Sequence, residues 1–513
     1  MDQTYPELSW NQTSPGTWQR SIDEVEEFYS AMPVLYGGSG LMFFAITGHV
    51  SLTFDITGIS DLSDASRRVD QALKNAWLTL RYDHPTIASQ VNRDLATGKW
   101  TKTYRYFKDK ADQQSWIDKT LVHTSSGQTG VQWANSQPPA PKVPTLFVLS
   151  PLSDGAGVIR RDLVLRSPHD IIDGIGTLTL INNLIARAST AFSSGDAYIL
   201  PTFDGSEAAN LSPPYRIAAN VPPTLTDAQN QRLADMAAQK SAAMNAPAGI
   251  EIIDMPYRRG KLVPGRHQRV AVTLTREQTA RLTAACKSAD ATVTHAFHAA
   301  IALVMRDLQP RQKRGPEPKR VRYVNYILRN ERASCQPPYN SAKHPAALYH
   351  SVPGQSLVVD MDLPTAGDDA RPPREDEFLP VVQLMKDFYH GVKDDKEHYA
   401  LAPTIWAAGN PVVPISPEHL PVPPPKEHPS VSISSMGRVD GIISPKTGAI
   451  EAYDPWVTGE ELGNGLGLFL GTFRGELCLS AAFNDAWHTE ADVLDFLKRC
   501  ETVVFRGLGL SSD

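Results

Sequence analysis

Ser167-Pro168-His169-Asp170-Ile171-Ile172-Asp173-Gly174 is the stretch on which the reading of this chain turns. The residues before it, 162–166, have the composition of a strand, and those after it, 174–188, are apolar at helical spacing, so His169 sits just past a strand end. Turns of this kind carry a large share of binding and catalytic side chains. An imidazole with an ordinary pKa of about 6.5 takes and gives protons near neutral pH. Glycine directly after Asp173 allows a backbone geometry or a close approach that a side chain would forbid.

The pattern His-x-x-x-Asp occurs three times, and context separates the copies. His390 and Asp394 end a helix whose buried stripe is Phe378, Val381, Val382, Met385, Phe388 and Tyr389, which reads as a solvated helix terminus. His488 and Asp492 straddle a helix start at which Thr489 is the N-cap, a structural role. Only His169 lies at a strand-to-helix turn, and an ordinary buried or capping histidine is the alternative there.

Working outward, residues 48–57 alternate apolar and polar as a half-buried strand does, and Ala65, Val69, Leu73, Ala76 and Leu80 then mark an amphipathic helix that must stop before Pro85. A further strand is expected at 145–149. Residues 189–223, rich in Ser, Pro, Gly and Asn, read as a crossover linker between an amino-terminal lobe, 1–215, and a carboxy-terminal lobe, 216–513. The second half offers helices at 226–244 and 294–306, strands at 269–274 and 321–328, and a capping box at Thr275 and Gln278. Residues 365–376 and 401–430 are loops by composition. Strands at 430–435, 465–472 and 476–482 and a closing helix at 489–500 complete a mixed α/β (α+β) chain.

A length of 513 residues exceeds what one core supports, hence the two lobes. A net charge of −6 leaves no basic footprint for nucleic acid. Cys286, Cys335, Cys478 and Cys500 are too sparse for a disulfide framework and too far apart for a zinc site, so no metal is expected and a reducing compartment suits them. Met-Asp-Gln-Thr-Tyr-Pro-Glu carries no positive stretch followed by an apolar run, so no signal peptide is expected there, and no segment is long and apolar enough for a span. A cytoplasmic protein without a membrane or nucleic-acid partner is the expectation, a monomer by default.

The run from His169 to Gly174 resembles the H-x-x-x-D-G motif of the superfamily that contains chloramphenicol acetyltransferase, the BAHD acyltransferases, condensation domains and trichothecene O-acetyltransferases. Arg81-Tyr82-Asp83-His84-Pro85 and Thr292-Val293-Thr294 resemble corresponding corners of the two lobes. Asn330-Glu331-Arg332 ahead of Pro337-Pro338 resembles the stretch in which an arginine precedes a double proline. The D-F-G-W-G motif of the plant branch is missing, and Ser434-Ser435-Met436-Gly437 stands in its region, which together with size and layout looks most like the trichothecene O-acetyltransferases.

The resemblance implies two chloramphenicol-acetyltransferase-like lobes, each a mixed sheet flanked by helices, with the active-site tunnel between them. It implies His169 as general base for an alcohol attacking an acyl thioester, Asp173 turned away to pair with Arg332, Gly174 supporting the turn, and Ser434 and Ser435 on the tunnel wall. Arg329 lies close enough to replace Arg332 in that pair. The donor is acetyl-CoA used as co-substrate, with no permanently bound cofactor, and the acceptor a small-molecule alcohol, by resemblance a trichothecene-like sesquiterpenoid. The basic connector Arg311, Lys313, Arg314, Lys319, Arg320 and Arg322 meets the donor phosphates or is a solvated loop. Absence of a G-x-S-x-G elbow favours direct transfer. The competing readings are a carrier-protein-bound donor, as in condensation domains, and a cleft recruited for cyclisation or for binding alone.

Overall fold

A computed structural model describes residues 4–151, 157–311, 319–365, 375–416 and 418–511. The chain forms a mixed α/β protein of two lobes, each built on its own sheet and its own apolar core.

The strand Ile46–Asp55 is the centre of the amino-terminal lobe, paired antiparallel with Val158–Ser167 along its whole length. Thr145–Leu149 and then Leu121–Thr124 extend that sheet beyond Val158–Ser167. The helices Leu62–Asp83 and Gly174–Ser194 pack on it through Val69, Leu73 and Ala76 from one and Leu178, Ile181 and Ile185 from the other. Period-two alternation predicts a strand with one wet face, yet Thr47, His49 and Ser51 of Ile46–Asp55 are buried as well. They bond inside the protein: Ser51 Oγ donates to Asp162 at 2.8 Å, His49 Nδ1 to the Asp454 carbonyl at 2.8 Å, and Thr47 Oγ1 accepts from Arg166 at 3.1 Å. Buried polar groups need such partners, and the alternation here separates two kinds of interior.

The carboxy-terminal lobe carries the sheet His267–Thr273, Glu476–Asn484, Leu466–Phe473 and Val431–Arg438, in that spatial order, and a smaller sheet of Leu357–Asp362, Arg320–Asn325 and Ile250–Ile252. Asn325 joins the two by donating to the Val431 carbonyl at 2.7 Å. The helices Val293–Asp307, Glu375–Asp394 and Glu490–Gly507 cover the core with Phe297, Phe378, Phe496 and Phe505.

Three features depart from the sequence expectations. Residues 401–409 are helical, within His398–Gly409, although Pro403 lies inside it. The region 189–223 begins only after Ser194 and is packed: Glu207 is buried and accepts from the Tyr104 hydroxyl at 2.8 Å, and Trp10 donates to the Ser212 carbonyl at 2.8 Å. Third, the strand Ile450–Gly459 leaves the second half of the sequence and pairs antiparallel with Ile46–Asp55, with Lys446–Thr447 beyond it. The first lobe's sheet therefore contains residues outside 1–215. Arg166 and Glu460, both buried, close the junction at 2.7 Å. Residues 366–374 of the first composition-based loop lie outside the described residues. Among the described residues no helix is long and apolar enough to cross a membrane.

Candidate functional site

The strand Val158–Ser167 and the helix Gly174–Ser194 hold the turn that carries His169. The imidazole lies flat on Tyr29, from the helix Glu24–Leu35, with ring centres 3.7 Å apart and planes 14° from parallel. Its Nδ1 is buried without a hydrogen-bond partner, which leaves Nε2 as the nitrogen available to a substrate. Burial, with the neighbouring His350, pushes the pKa of His169 down to about 3, against weaker opposing pulls from its own carbonyl and Asp173. The ring is thus neutral near pH 7. The Tyr29 ring stacked on it presents a π face, which attracts a cation.

Asp173 points elsewhere. One carboxylate oxygen caps the helix by accepting from Gly176 N at 2.7 Å; the other accepts from Tyr349 N at 2.9 Å and from Arg332 Nη1 at 2.9 Å. Burial opposes the charge, but Arg332 and His350 outweigh it and hold the carboxyl well below the usual carboxylate range. Arg329 is engaged otherwise, with Glu331 at 3.0 Å and the carbonyls of Val392 and Asp395. The close approach that sequence assigns to Gly174 belongs to Gly176. A Cβ at Gly174 meets only Val457 and Met436 at 3.6–3.7 Å, whereas one at Gly176 would fall 2.1 Å from the Pro345 carbonyl oxygen. Gly174 is helical and borders open space instead.

That space is a cavity of about 1110 Å³ between the lobes, and His169, Asp173, Gly174, Arg332, Ser434 and Ser435 all line it. Ser434 and Ser435 reach it from the strand Val431–Arg438, and the Ser435 hydroxyl is 2.9 Å from that of Thr294. No cysteine lines the cavity, and burial raises the thiols of Cys286 and Cys335 to about 12. Two further side chains touch the histidine's surroundings and carry no sequence signal: Tyr29, and His350, whose Nε2 is 3.0 Å from the Tyr29 hydroxyl and whose Nδ1 is 3.7 Å from Asp173. They lie 140 and 181 residues from His169, so only the fold could bring them there.

Lys240, His390 and Lys393, all exposed, stand on the rim of the same cavity. His390 is a helix-end residue, as expected, and a rim residue as well. His488 is buried and bonded to the Asn464 carbonyl at 2.9 Å, while Thr489 caps its helix through Asp492 N at 3.1 Å. Of the basic connector, the described residues Arg311, Lys319, Arg320 and Arg322 do not line the cavity, Lys319 pairing with Glu251, Arg320 with Asp362 and Arg322 with Asp360, and Lys313 and Arg314 lie outside the described residues. Among the described residues no cluster of His, Cys, Asp or Glu is arranged to hold a metal ion.

No family model matches the chain. Two proteins of Monascus ruber are each 24% identical to it over 515 residues: the acetyltransferase pigO, with 99% of both chains covered, and the O-acetyltransferase pigM, with 99% of this chain and 88% of that one. Among solved structures, the TRI3 trichothecene 15-O-acetyltransferase of Fusarium sporotrichioides superposes with a TM-score of 0.78, at 16% identity over 98% of each chain. The first condensation domain of the calcium-dependent antibiotic synthetase gives 0.60 at 13% identity over 97% of each. At such identities the structural likeness is one of fold: two lobes with a cavity between them.

Proposed function

We propose that this chain, an acyltransferase with the two-lobed fold of condensation domains and chloramphenicol acetyltransferase, moves an acetyl or other short acyl group from acyl-CoA to a hydroxyl of a secondary metabolite. The acceptor is a compact hydroxylated molecule, and a trichothecene-like sesquiterpenoid is the class suggested by the resemblance. The observation that carries this reading is His169: a neutral imidazole at the wall of the large inter-lobe cavity, with Nε2 available and no carboxylate bonded to its ring.

An alcohol attacks a thioester at neutral pH only if its proton is taken as the C–O bond forms, and His169 Nε2 takes it. The imidazolium, faced by Tyr29, then gives that proton to the departing CoA thiolate. Asp173 and Arg332 hold the turn and have no proton to move. With no thiol on the wall and no G-x-S-x-G elbow in the sequence, the acyl group passes directly to the acceptor. Lys240, His390 and Lys393 on the rim suit the phosphates of CoA. On this reading the protein works as a cytoplasmic monomer with no permanently bound cofactor, and its partners are the acyl-CoA and the alcohol.

Calorimetric titration with acetyl-CoA tests the donor before the acceptor is known. Saturable binding at about 10–100 μM in both the unaltered protein and His169→Ala is expected. With an acceptor from a panel of terpenoid alcohols, His169→Ala should lose about 10²–10⁴-fold in kcat. Absence of free-donor binding to folded protein would overturn the CoA reading in favour of a carrier-bound thioester, which the condensation-domain likeness of the fold accommodates.

A further inference from the structure

A second cavity, of about 230 Å³, lies behind the first, and Met436, Val457 and Phe469 form part of the wall of both. Arg269 lines it at 4% exposure. Buried guanidinium groups ordinarily face a carboxylate, because an unpaired buried charge is costly. Arg269 has no carboxylate within ion-pair distance among the described residues. Its guanidinium carbon sits 4.5 Å over the Trp456 ring, one Nη donates weakly to Cys478 Sγ at 3.7 Å, and Nε is buried with no partner. Trp456, 6% exposed and also on the wall, has its indole N–H buried and unpartnered.

The other charges around this cavity are engaged. Arg474 bonds the Ala452 and Pro445 carbonyls and Glu451, Glu476 faces Arg276 at 3.6 Å, and the half-exposed Asp454 faces His49 at 3.8 Å. Arg269 itself is held from both sides of its backbone, since Asn135 donates to its carbonyl and accepts from its N–H, each at 2.9 Å. Leu178, Val439, Phe469 and Phe473 give the wall an apolar stretch, beside the polar Thr273, Tyr453 and Ser480.

We propose that this cavity is a binding site for a small organic carboxylate, held by the Arg269 guanidinium and the Trp456 indole N–H with its hydrocarbon body against the apolar wall. A guanidinium fork matches a carboxylate in two parallel hydrogen bonds. The apolar lining selects an acid with an aliphatic or aromatic body over strongly hydrated inorganic phosphate. This site stands apart from the acyl-transfer reading and survives if that reading fails.

Benzoate, hexanoate and inorganic phosphate are titrated by calorimetry into the full chain, into Arg269→Gln and into Arg269→Lys, with unfolding temperature as the check on folding. Indole ¹⁵N–H spectra of tryptophan-labelled protein, with Trp456→Phe to assign the signal, report where binding occurs. Saturable binding of benzoate or hexanoate that shifts the Trp456 signal, and weakens roughly ten-fold or more in the folded Arg269 variants, is the expected result. Arg269→Lys keeps the charge without the fork and serves if Arg269→Gln fails to fold. The proposal is overturned by unchanged affinity in either folded variant, by a Trp456 signal that stays still at saturation, by preference for phosphate, or by no carboxylate binding.

Discussion

At the scale of single residues, the turn divides two tasks between side chains four positions apart. His169 keeps a free nitrogen and a depressed pKa, while Asp173 spends its carboxylate on two backbone N–H groups and Arg332. Asp173→Ala strands the half-buried Arg332 guanidinium and uncaps a helix at once, so a loss of about 2–4 kcal/mol in urea unfolding is expected, with Arg332→Ala close behind. A catalytic role for Asp173 would instead show as lost turnover at unchanged stability. Other histidines set the acid limit of the fold. Burial lowers His84 to about 4 and His298 to about 3, the latter between the hydroxyls of Tyr389 and Tyr323, both 3.2 Å away. Unfolded histidine titrates near 6.5, so the unfolded chain takes up protons first as pH falls. Their contribution is complete above about pH 6.5 and is lost progressively toward pH 4, which urea midpoints at pH 7, 6 and 5 should show as a steady decline; His298→Gln should flatten that slope.

At the scale of elements, the start of the helix Gly174–Ser194 sets how closely the second lobe's loops approach the first. The Pro345 carbonyl lies where a Cβ of residue 176 would be, and Arg332 Nη2 is 2.9 Å from the same point. Gly176→Ala must push that loop away and is expected to cost more than about 2 kcal/mol, whereas Gly174→Ala should fold as well as the parent and alter only the cavity wall. Equal unfolding midpoints for the two variants would refute this assignment. The helix and its strand are legible because their apolar residues keep one period throughout. The strand Ile450–Gly459 is not, because Asp454, at φ 44°, and Pro455 interrupt it with a bulge in register between Tyr453 and Trp456. The helix His398–Gly409 is masked by Pro403 in the same way. For the site, the motif places His169 and Asp173 together, but nothing local marks Tyr29 and His350, which only tertiary packing delivers.

At the scale of the whole molecule, the lobes are not beads on a string. Ile450–Gly459 is the neighbour of Ile46–Asp55 on the side away from Val158–Ser167, and Val457, Ile450 and Ala452 belong to the first lobe's core. Cutting the chain at residue 215 would strip that neighbour from a ten-residue strand, leave its N–H and C=O groups as an open edge, and expose the apolar residues that the ribbon covers. It would also leave Arg166 buried without Glu460. Residues 1–215 alone are therefore expected to aggregate or to lack cooperative unfolding, and adding a peptide of 446–461 in trans should recover part of the soluble fraction. Circular dichroism melts and gel filtration of the fragment with and without the peptide measure this. A monomeric fragment that melts cooperatively without the peptide would show that the first lobe closes its own sheet, and the cavity would then be formed by docking two finished lobes. In the connected arrangement, Ile450–Gly459 supplies Val457, Thr458 and Gly459 to the cavity wall from inside the first lobe's sheet. The shape of that wall then depends on the carboxy-terminal half of this strand, which is why substitutions there should change acceptor selectivity before they change the position of His169.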